Sequence, residues 1–294
     1  MGTIDKIIGV AATSINKLAG VAISGLANMA GQTISLFSTT KSMDFDGTDD
    51  HIQISNTTAG NTPANLEFAS DESFSIEAWI KSGSSATGDK IFYSQLGIGT
   101  SLIWCMTFLT SGNRRIKFYI RDDSGNVTTL SSTNNSAGWL ADDTWYHVGM
   151  VRDVASDKLY LYKNGVSVQT AATDTTTDDF STFSRIVIGC DPYDYTPDTS
   201  ASNVRYEFPG RIASLAVWDI ALSAANCVTL YNSGDPVDNN SQSFTGADGP
   251  VSWWRMGNDS GDSISSILDK GSDSNNGTPR NMEGGDIESD APSS

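Results

Sequence analysis

A chain of 294 residues with a formal net charge of −17 sets 35 acidic side chains against 18 Lys and Arg. That balance excludes a phosphate-neutralising surface, which needs clustered cations, and leaves the acids as either oxygen ligands for divalent cations or a solubilising shell. With 38% apolar and 18% charged residues and abundant Ser, Thr, Asn, Asp and Gly, the composition is that of a folded protein of short strands and turns, long enough for one large β domain or two ordinary ones.

The amino-terminal segment repeats with a period of eleven: Ile4-Asp5-Lys6-Ile7-Ile8-Gly9-Val10-Ala11, Ile15-Asn16-Lys17-Leu18-Ala19-Gly20-Val21-Ala22 and Leu26-Ala27-Asn28-Met29-Ala30-Gly31-Gln32-Thr33. That period suits a helix in a right-handed supercoil, yet a Gly in each unit costs about 1 kcal/mol in a helix interior, so extended structure competes. Three short apolar units cannot bury themselves. They either anchor the chain to other copies or a host surface through Ile4, Ile7, Val10, Ile15, Leu18, Val21, Leu26 and Met29, or pack back on their own domain. Asp5, Asn16, Lys17 and Asn28 interrupt any signal-peptide core, so the segment reads as part of the mature protein. No run of eighteen apolar residues is present to form a transmembrane helix.

Alternation of period two then predicts strands. The first hairpin spans Ser42 to about Ile54 around Asp46-Gly47. Ser73–Lys81 follows, with Phe74, Ile76, Ala78 and Ile80 on one face and Trp79 on the other. Further strands are predicted at 90–96, 102–109, 115–121, 126–131, 145–152, 157–163, 166–170, 185–190 and 211–218, a spacing that suits a sandwich or jelly roll rather than βαβ units. One helix is predicted over Ser223–Tyr231, capped by Ser223 and ended by Gly234. Cys105, Cys190 and Cys227 lack metal-type spacing and two adjoin strand-like runs, so they read as buried hydrophobes, with a lean toward folding in a reducing cytosol.

Several motifs recur in a recognisable order: Met43-Asp44-Phe45-Asp46-Gly47, Phe74-Ser75-Ile76-Glu77-Ala78-Trp79-Ile80, Thr144-Trp145-Tyr146-His147-Val148, Leu159-Tyr160-Leu161-Tyr162-Lys163-Asn164-Gly165, Ile186-Val187-Ile188-Gly189 and Phe208-Pro209-Gly210-Arg211-Ile212. Over residues 43–282 they resemble a laminin-G-like domain of the concanavalin A-like lectin group. The resemblance implies an all-β fold, a two-sheet antiparallel β-sandwich of jelly-roll type with a short helix. Residues 1–41 would then be an anchoring extension, 42–282 the sandwich and 283–294 an acidic, mobile tail. Trp253-Trp254 with Asp269-Lys270-Gly271-Ser272-Asp273-Ser274-Asn275-Asn276-Gly277-Thr278 is similar to an element that precedes the Phe-Asp-Gly strand in many relatives; here it stands at the carboxyl end, so the two ends of the sandwich are expected to meet. The Lys-x-x-Gly-Val-Ala leader resembles the first residues of tailed-phage virion proteins.

Glycosidases among these relatives place two carboxylates along one strand. Here Glu77 has no acidic neighbour two residues on, and His51 and His147 sit inside strands rather than beside an exposed Ser, so no enzyme is expected. A lectin-like site uses loops of Asp, Asn and aromatic rings. The loop from Asp191 has that composition, with Tyr193, Asp194, Tyr195 and Asp198, and is the predicted ligand loop unless it is an ordinary surface loop stiffened by Pro192 and Pro197. The resemblance also implies a calcium site at Asp46, Asp269, Asp273 and Asn275; Ile212-Ala213-Ser214 stands where relatives carry Ile-Asp-Glu, which removes two carboxylates, so calcium is left open. Trp79, Trp145, Trp218, Trp253 and Trp254 match core positions of the family. Trp104 and Trp139 do not, and are the tryptophans to test.

The expectation is a non-enzymatic, lectin-like protein displayed on a virion surface as a homo-oligomer. It would be held to other virion proteins through residues 1–37 and would contact a surface glycan. The alternatives are a purely structural virion protein and a secreted glycan-binding protein.

Overall fold

The structure is a computed structural model. It describes residues 37–56, 63–83, 88–97, 101–110, 113–180, 183–192, 204–272 and 274–293, with the backbone of 28–29 and 32–33. The chain divides into two compact units, residues 1–38 and 39–294. Within the first, β1 (Asn28–Met29) pairs antiparallel with β2 (Gln32–Thr33). Ile4, Ile7, Val10, Ile15, Leu18, Val21 and Leu26, expected to anchor the chain, lie outside the described residues, as does the side chain of Met29.

The second unit carries, in chain order, β3 (Ser42–Asp46), β4 (His51–Asn56), β5 (Phe74–Ser82), β6 (Asp89–Gly97), β7 (Leu102–Thr110), β8 (Asn113–Arg121), β9 (Val127–Ser131), β10 (Trp139–Leu140), β11 (Trp145–Asp153) and β12 (Lys158–Lys163). There follow β13 (Val166–Ser167), β14 (Ala172–Thr173), β15 (Phe183–Ile188), β16 (Asp191–Pro192), β17 (Val204–Arg205), β18 (Pro209–Trp218) and helix α1 (Ala224–Tyr231). The chain closes with β19 (Ser243–Phe244), β20 (Ala247–Asp248), β21 (Ser252–Trp254), β22 (Thr278–Arg280) and β23 (Ile287–Glu288). One sheet of eight strands runs β10-β8-β7-β6-β15-β4-β22 with β9 beside β8; a second, of nine, runs β13-β12-β11-β5-β18-β3-β23 with β14 on β12 and β21 on β18. All the pairings within both sheets are antiparallel. The fold is therefore the expected all-β sandwich.

Strand alternation sends every second residue between the sheets. Phe74, Ile76, Ala78 and Ile80 of β5 meet Ile116, Phe118 and Ile120 of β8 and Ile186 and Ile188 of β15 in one buried cluster. Phe74 stacks on Phe68 at 4.4 Å and meets Phe118 edge-on at 6.1 Å. Burial of each such ring stabilises the sandwich by about 2–3 kcal/mol. At the start of β18, Gly210 has φ 140° and a Cβ there would stand 2.2 Å from the Lys81 carbonyl oxygen. The Phe-Pro-Gly motif thus lets β18 press against β5.

Helix α1 opens as its capping residues dictate: Ser223 Oγ accepts from Asn226 N (3.2 Å), and Asn226 Oδ1 accepts from Ser223 N (2.8 Å). It stops earlier than Gly234. Asn232 takes the left-handed conformation at φ 44°, which Asn tolerates better than other side chains.

The carboxyl-terminal segment returns to the first hairpin. β22 pairs with β4 and β23 with β3, flanking both strands of the Phe-Asp-Gly hairpin. Residues 287–290 depart from the mobile tail that their composition predicts. Ile287 and Glu288 extend the nine-stranded sheet, and the Asp290 carboxylate is bonded by Lys81 and Arg211 and by Trp145 Nε1 at 3.2 Å. The cations that hold it are distant in sequence, which is why composition alone misses the attachment.

Candidate functional site

Residues pointing away from the core divide into two faces. On the nine-stranded sheet those around Glu77 and Trp79 are covered by α1 and the turn at 239–241. Glu77 Oε2 lies 2.8 Å from His147 Nε2, and Asn239 Nδ2 donates to Glu77 Oε1 at 2.5 Å. Glu77 is 2% exposed and His147 fully buried. Trp79 packs on His147 (5.3 Å) and Tyr231 (5.9 Å). A carboxylate enclosed in this way cannot reach a scissile bond in solvent.

The outer face of the eight-stranded sheet is different. Trp104 of β7 and Tyr119 of β8 are cross-strand partners with ring centroids 5.1 Å apart, and Tyr206 meets Trp104 edge-on at 6.1 Å. Tyr206 is 40% exposed and holds a left-handed φ of 56°, a conformation that costs a bulky residue about 1 kcal/mol or more. Its carbonyl oxygen accepts from Ile91 N at 2.7 Å, which ties the turn to β6. The Arg205 guanidinium stands over Trp104 (5.9 Å) and Tyr206 (5.3 Å).

Asp191 organises this platform from beneath. Its Oδ1 accepts from Ser94 Oγ (2.7 Å) and Trp104 Nε1 (2.8 Å), and its Oδ2 from Arg205 Nε (2.7 Å). Burial holds its carboxyl above the usual range, against the opposing pull of Ser94, Arg205 and Trp104. Asp191 was expected to touch ligand; fully buried and spent on three donors, it fixes the indole and guanidinium instead. β16 and β17 pair antiparallel, which sets Asp191 opposite Arg205. Tyr193, Asp194, Tyr195 and Asp198 lie outside the described residues. Tyr119, Arg205 and Tyr206 were missed from the sequence, because the platform joins strands distant in sequence. The one signal was Trp104, a tryptophan off the family core positions.

Of the residues expected to hold calcium, Asp46 lies apart from Asp269 and Asn275, which meet one another. Asp269 Oδ1 accepts from Trp253 N (2.7 Å) and Gly271 N (2.8 Å), and its Oδ2 from Ser252 Oγ (2.8 Å) and Asn275 N (2.9 Å). Asn275 donates to Asn65 Oδ1 and Ser252 Oγ. These residues clasp the closing element, and Asp273 lies outside the described residues. Asp46 pairs with Pro209 on β18 while Asp269 bridges Trp254, the partner of Leu215; six residues of strand separate the two positions by roughly 20 Å. Asp46 instead joins Asp49 and Asp50, with one carboxylate oxygen of each within 4.8 Å of the others. Asp50 is pushed up to about 6, chiefly by burial and further by the charges of Asp46, Asp286 and Asp49, although Asp46 N donates to it. Three crowded carboxylates fit a hard divalent cation in donor chemistry, and calcium there would be held by Asp46, Asp49 and Asp50.

A family model described as "Concanavalin A-like lectin/glucanases superfamily" matches residues 46–227. The chain belongs to this superfamily. No curated protein matches the sequence. Among solved structures, a protein from Bacteroides ovatus provisionally described as carbohydrate-binding is similar at 17% identity and a TM-score of 0.57, over 88% of this chain and 62% of that one. The chain therefore spans less than two thirds of that protein. An SAP-like pentraxin from Limulus polyphemus is similar at 15% identity and a TM-score of 0.48, over 67% of this chain and 84% of that one. The CBM40 of a Ruminococcus gnavus sialidase, bound to α2,3-sialyllactose, is similar at 13% identity and a TM-score of 0.47, over 66% of this chain and all of that one.

Proposed function

We propose that this superfamily member is a non-enzymatic glycan-binding module whose ligand lies on the outer face of the eight-stranded sheet. The observation that carries this reading is the buried Asp191, which holds the indole of Trp104 and the guanidinium of Arg205 beside Tyr206. Rings held in place before ligand arrives offer an apolar surface to a sugar's C–H face at little ordering cost. Arginine adds donors for hydroxyl or carboxylate groups. Tyr193, Asp194, Tyr195 and Asp198, which follow Asp191 in the sequence, are proposed to add ligand contacts of the same chemistry.

In this reading, residues 1–37 anchor the module to a larger assembly, a virion, through the eleven-residue repeat, and the sandwich is displayed as one of several copies. Support for the anchor is the repeat itself, which has apolar residues in every unit and no long polar face. A calibrated glycan array probed with the full chain tests the binding reading, with Tyr206→Ala and Arg205→Ala as matched variants. Saturable signal that falls about tenfold in either variant supports it; equal signal in all three chains overturns it. Light scattering of the full chain beside a chain lacking residues 1–37 tests the anchor, and a monomer in both cases removes it.

A further inference from the structure

We propose that the ligand of the outer face is an anionic oligosaccharide, its carboxylate or sulfate groups taken by Arg115, Lys117 and Arg121 of β8 together with Arg205. This inference rests on the glycan-binding reading and adds to it the charge of the ligand.

The strand pattern sets these cations in line with the aromatic platform. Ile116, Phe118 and Ile120 enter the core, so Arg115, Lys117, Tyr119 and Arg121 share the opposite face of β8. Tyr119 is the cross-strand partner of Trp104. Lys117 and Arg121 therefore flank the platform on its β8 side, while Arg205 stands over the Trp104 ring at 5.9 Å. From Arg115 to Arg121 the row runs roughly 20 Å, which suits an extended sugar chain rather than a single ring.

Two of the cations are held close together. Arg115 Nη1 donates to the Ser132 carbonyl oxygen at 2.9 Å, and its Cζ lies 4.6 Å from the Phe108 ring centroid, with Lys117 Nζ 4.7 Å from the same centroid. Like charges sharing one ring repel each other, and an anion set beside them relieves that repulsion.

The row stands out against the rest of the chain. The sequence sets 35 acids against 18 Lys and Arg, yet β7, β8, β9 and β10 contain no Asp or Glu. A net charge of −17 already serves solubility, so cations gathered on one face are not needed for that purpose. Asp89 of β6 reaches Lys117 at 3.3 Å and Asp191 holds Arg205 at 2.7 Å. The first is a partly exposed pair worth under about 1 kcal/mol, which a ligand anion can replace. The second aims the guanidinium across the indole. Four cations against these two acids leave the row positive, and Arg presents its donors in the geometry of a carboxylate or sulfate.

The test titrates the full chain with hexasaccharides of galacturonate, hyaluronan and chondroitin sulfate, each beside its methyl-esterified form, with desulfated chondroitin added to separate sulfate from carboxylate. The neutral glycans of the array are measured in parallel. The expected result is that at least one acidic hexasaccharide binds about tenfold more tightly than its charge-depleted form, as loss of one charge-assisted contact predicts. That preference should shrink between about 0.05 and 0.5 M salt. It should also shrink in the double variant Lys117→Gln, Arg121→Gln, which keeps Trp104, Arg205 and the melting temperature. Acidic and charge-depleted forms that bind equally overturn the inference, as does a preference that survives in the folded double variant. If only neutral glycans bind, the anionic ligand fails and the glycan-binding reading stands; if no glycan binds, both fail.

Discussion

The two outer faces of the sandwich obey the same alternation, yet around Glu77 one has become a second core and the other is, among the described residues, a partly exposed platform. Behind β5, α1 and the turn at 239–241 cover Glu77, Trp79 and His147, so their polar atoms are spent on one another. Behind β7, Asp191 is the buried acid, and the groups it bonds reach outward: Trp104 is half-buried and the Arg205 side chain 37% exposed. The comparison teaches that residue type on an outward position does not decide its role. What covers the strand does.

Breaking the covered face has the largest expected effect. Glu77→Ala strips both Asn239 and His147 of their partner, and leaving two buried polar groups unsatisfied costs about 3 kcal/mol or more, read as a lower urea midpoint at unchanged slope. On the open face, Asp191→Ala costs about 2 kcal/mol by leaving Ser94, Trp104 and Arg205 without their acceptor. It also weakens glycan binding with Trp104 still present, whereas Glu77→Ala leaves affinity unchanged in the fraction that folds. That split in affinity sharpens the contrast between the faces.

A smaller effect of opposite sign is expected at Asp50. Its folded-state value of about 6 lies above the ordinary 3.8, so the folded protein binds the extra proton between those values and stability falls as pH rises through that window. Asp50→Asn keeps an acceptor for Asp46 N, removes the slope and stabilises the protein by about 1 kcal/mol at neutral pH after allowance for solvent screening. Millimolar calcium should erase the difference by stabilising the unmodified chain alone; an equal response of both chains rules out a site at Asp46, Asp49 and Asp50. The smallest effect is expected at the tail, where Asp290→Ala loses a partly exposed ion pair with Lys81 and Arg211 worth under about 1 kcal/mol, seen as faster amide exchange across 287–290.

Much of this architecture was legible in the sequence. Phe74, Ile76, Ala78 and Ile80 repeat every second residue, so β5 and its inward face follow from period alone, and Ser223 marks the start of α1. The contacts that define the faces were not legible, because they join residues far apart: Glu77 with Asn239, Trp104 with Asp191, and Asp290 with Lys81. The same distance hid the role of Asp191. An acid followed by Pro192 and tyrosines has the composition of a ligand loop, and only the approach of Ser94 and Arg205 turns it into a buried anchor. The family resemblance makes Asp269 a candidate cation ligand, and its four donors come from a turn and strand whose closeness the sequence does not state.

The central claim is that Trp104, held by Asp191, carries glycan recognition. The most direct measurement is the dissociation constant of the full chain and of Trp104→Ala for the strongest array ligand, with thermal unfolding of both chains alongside. The account predicts affinity lower by about tenfold or more with little change in melting temperature. Equal affinity in the two chains, or no saturable binding by the unmodified protein, would contradict it.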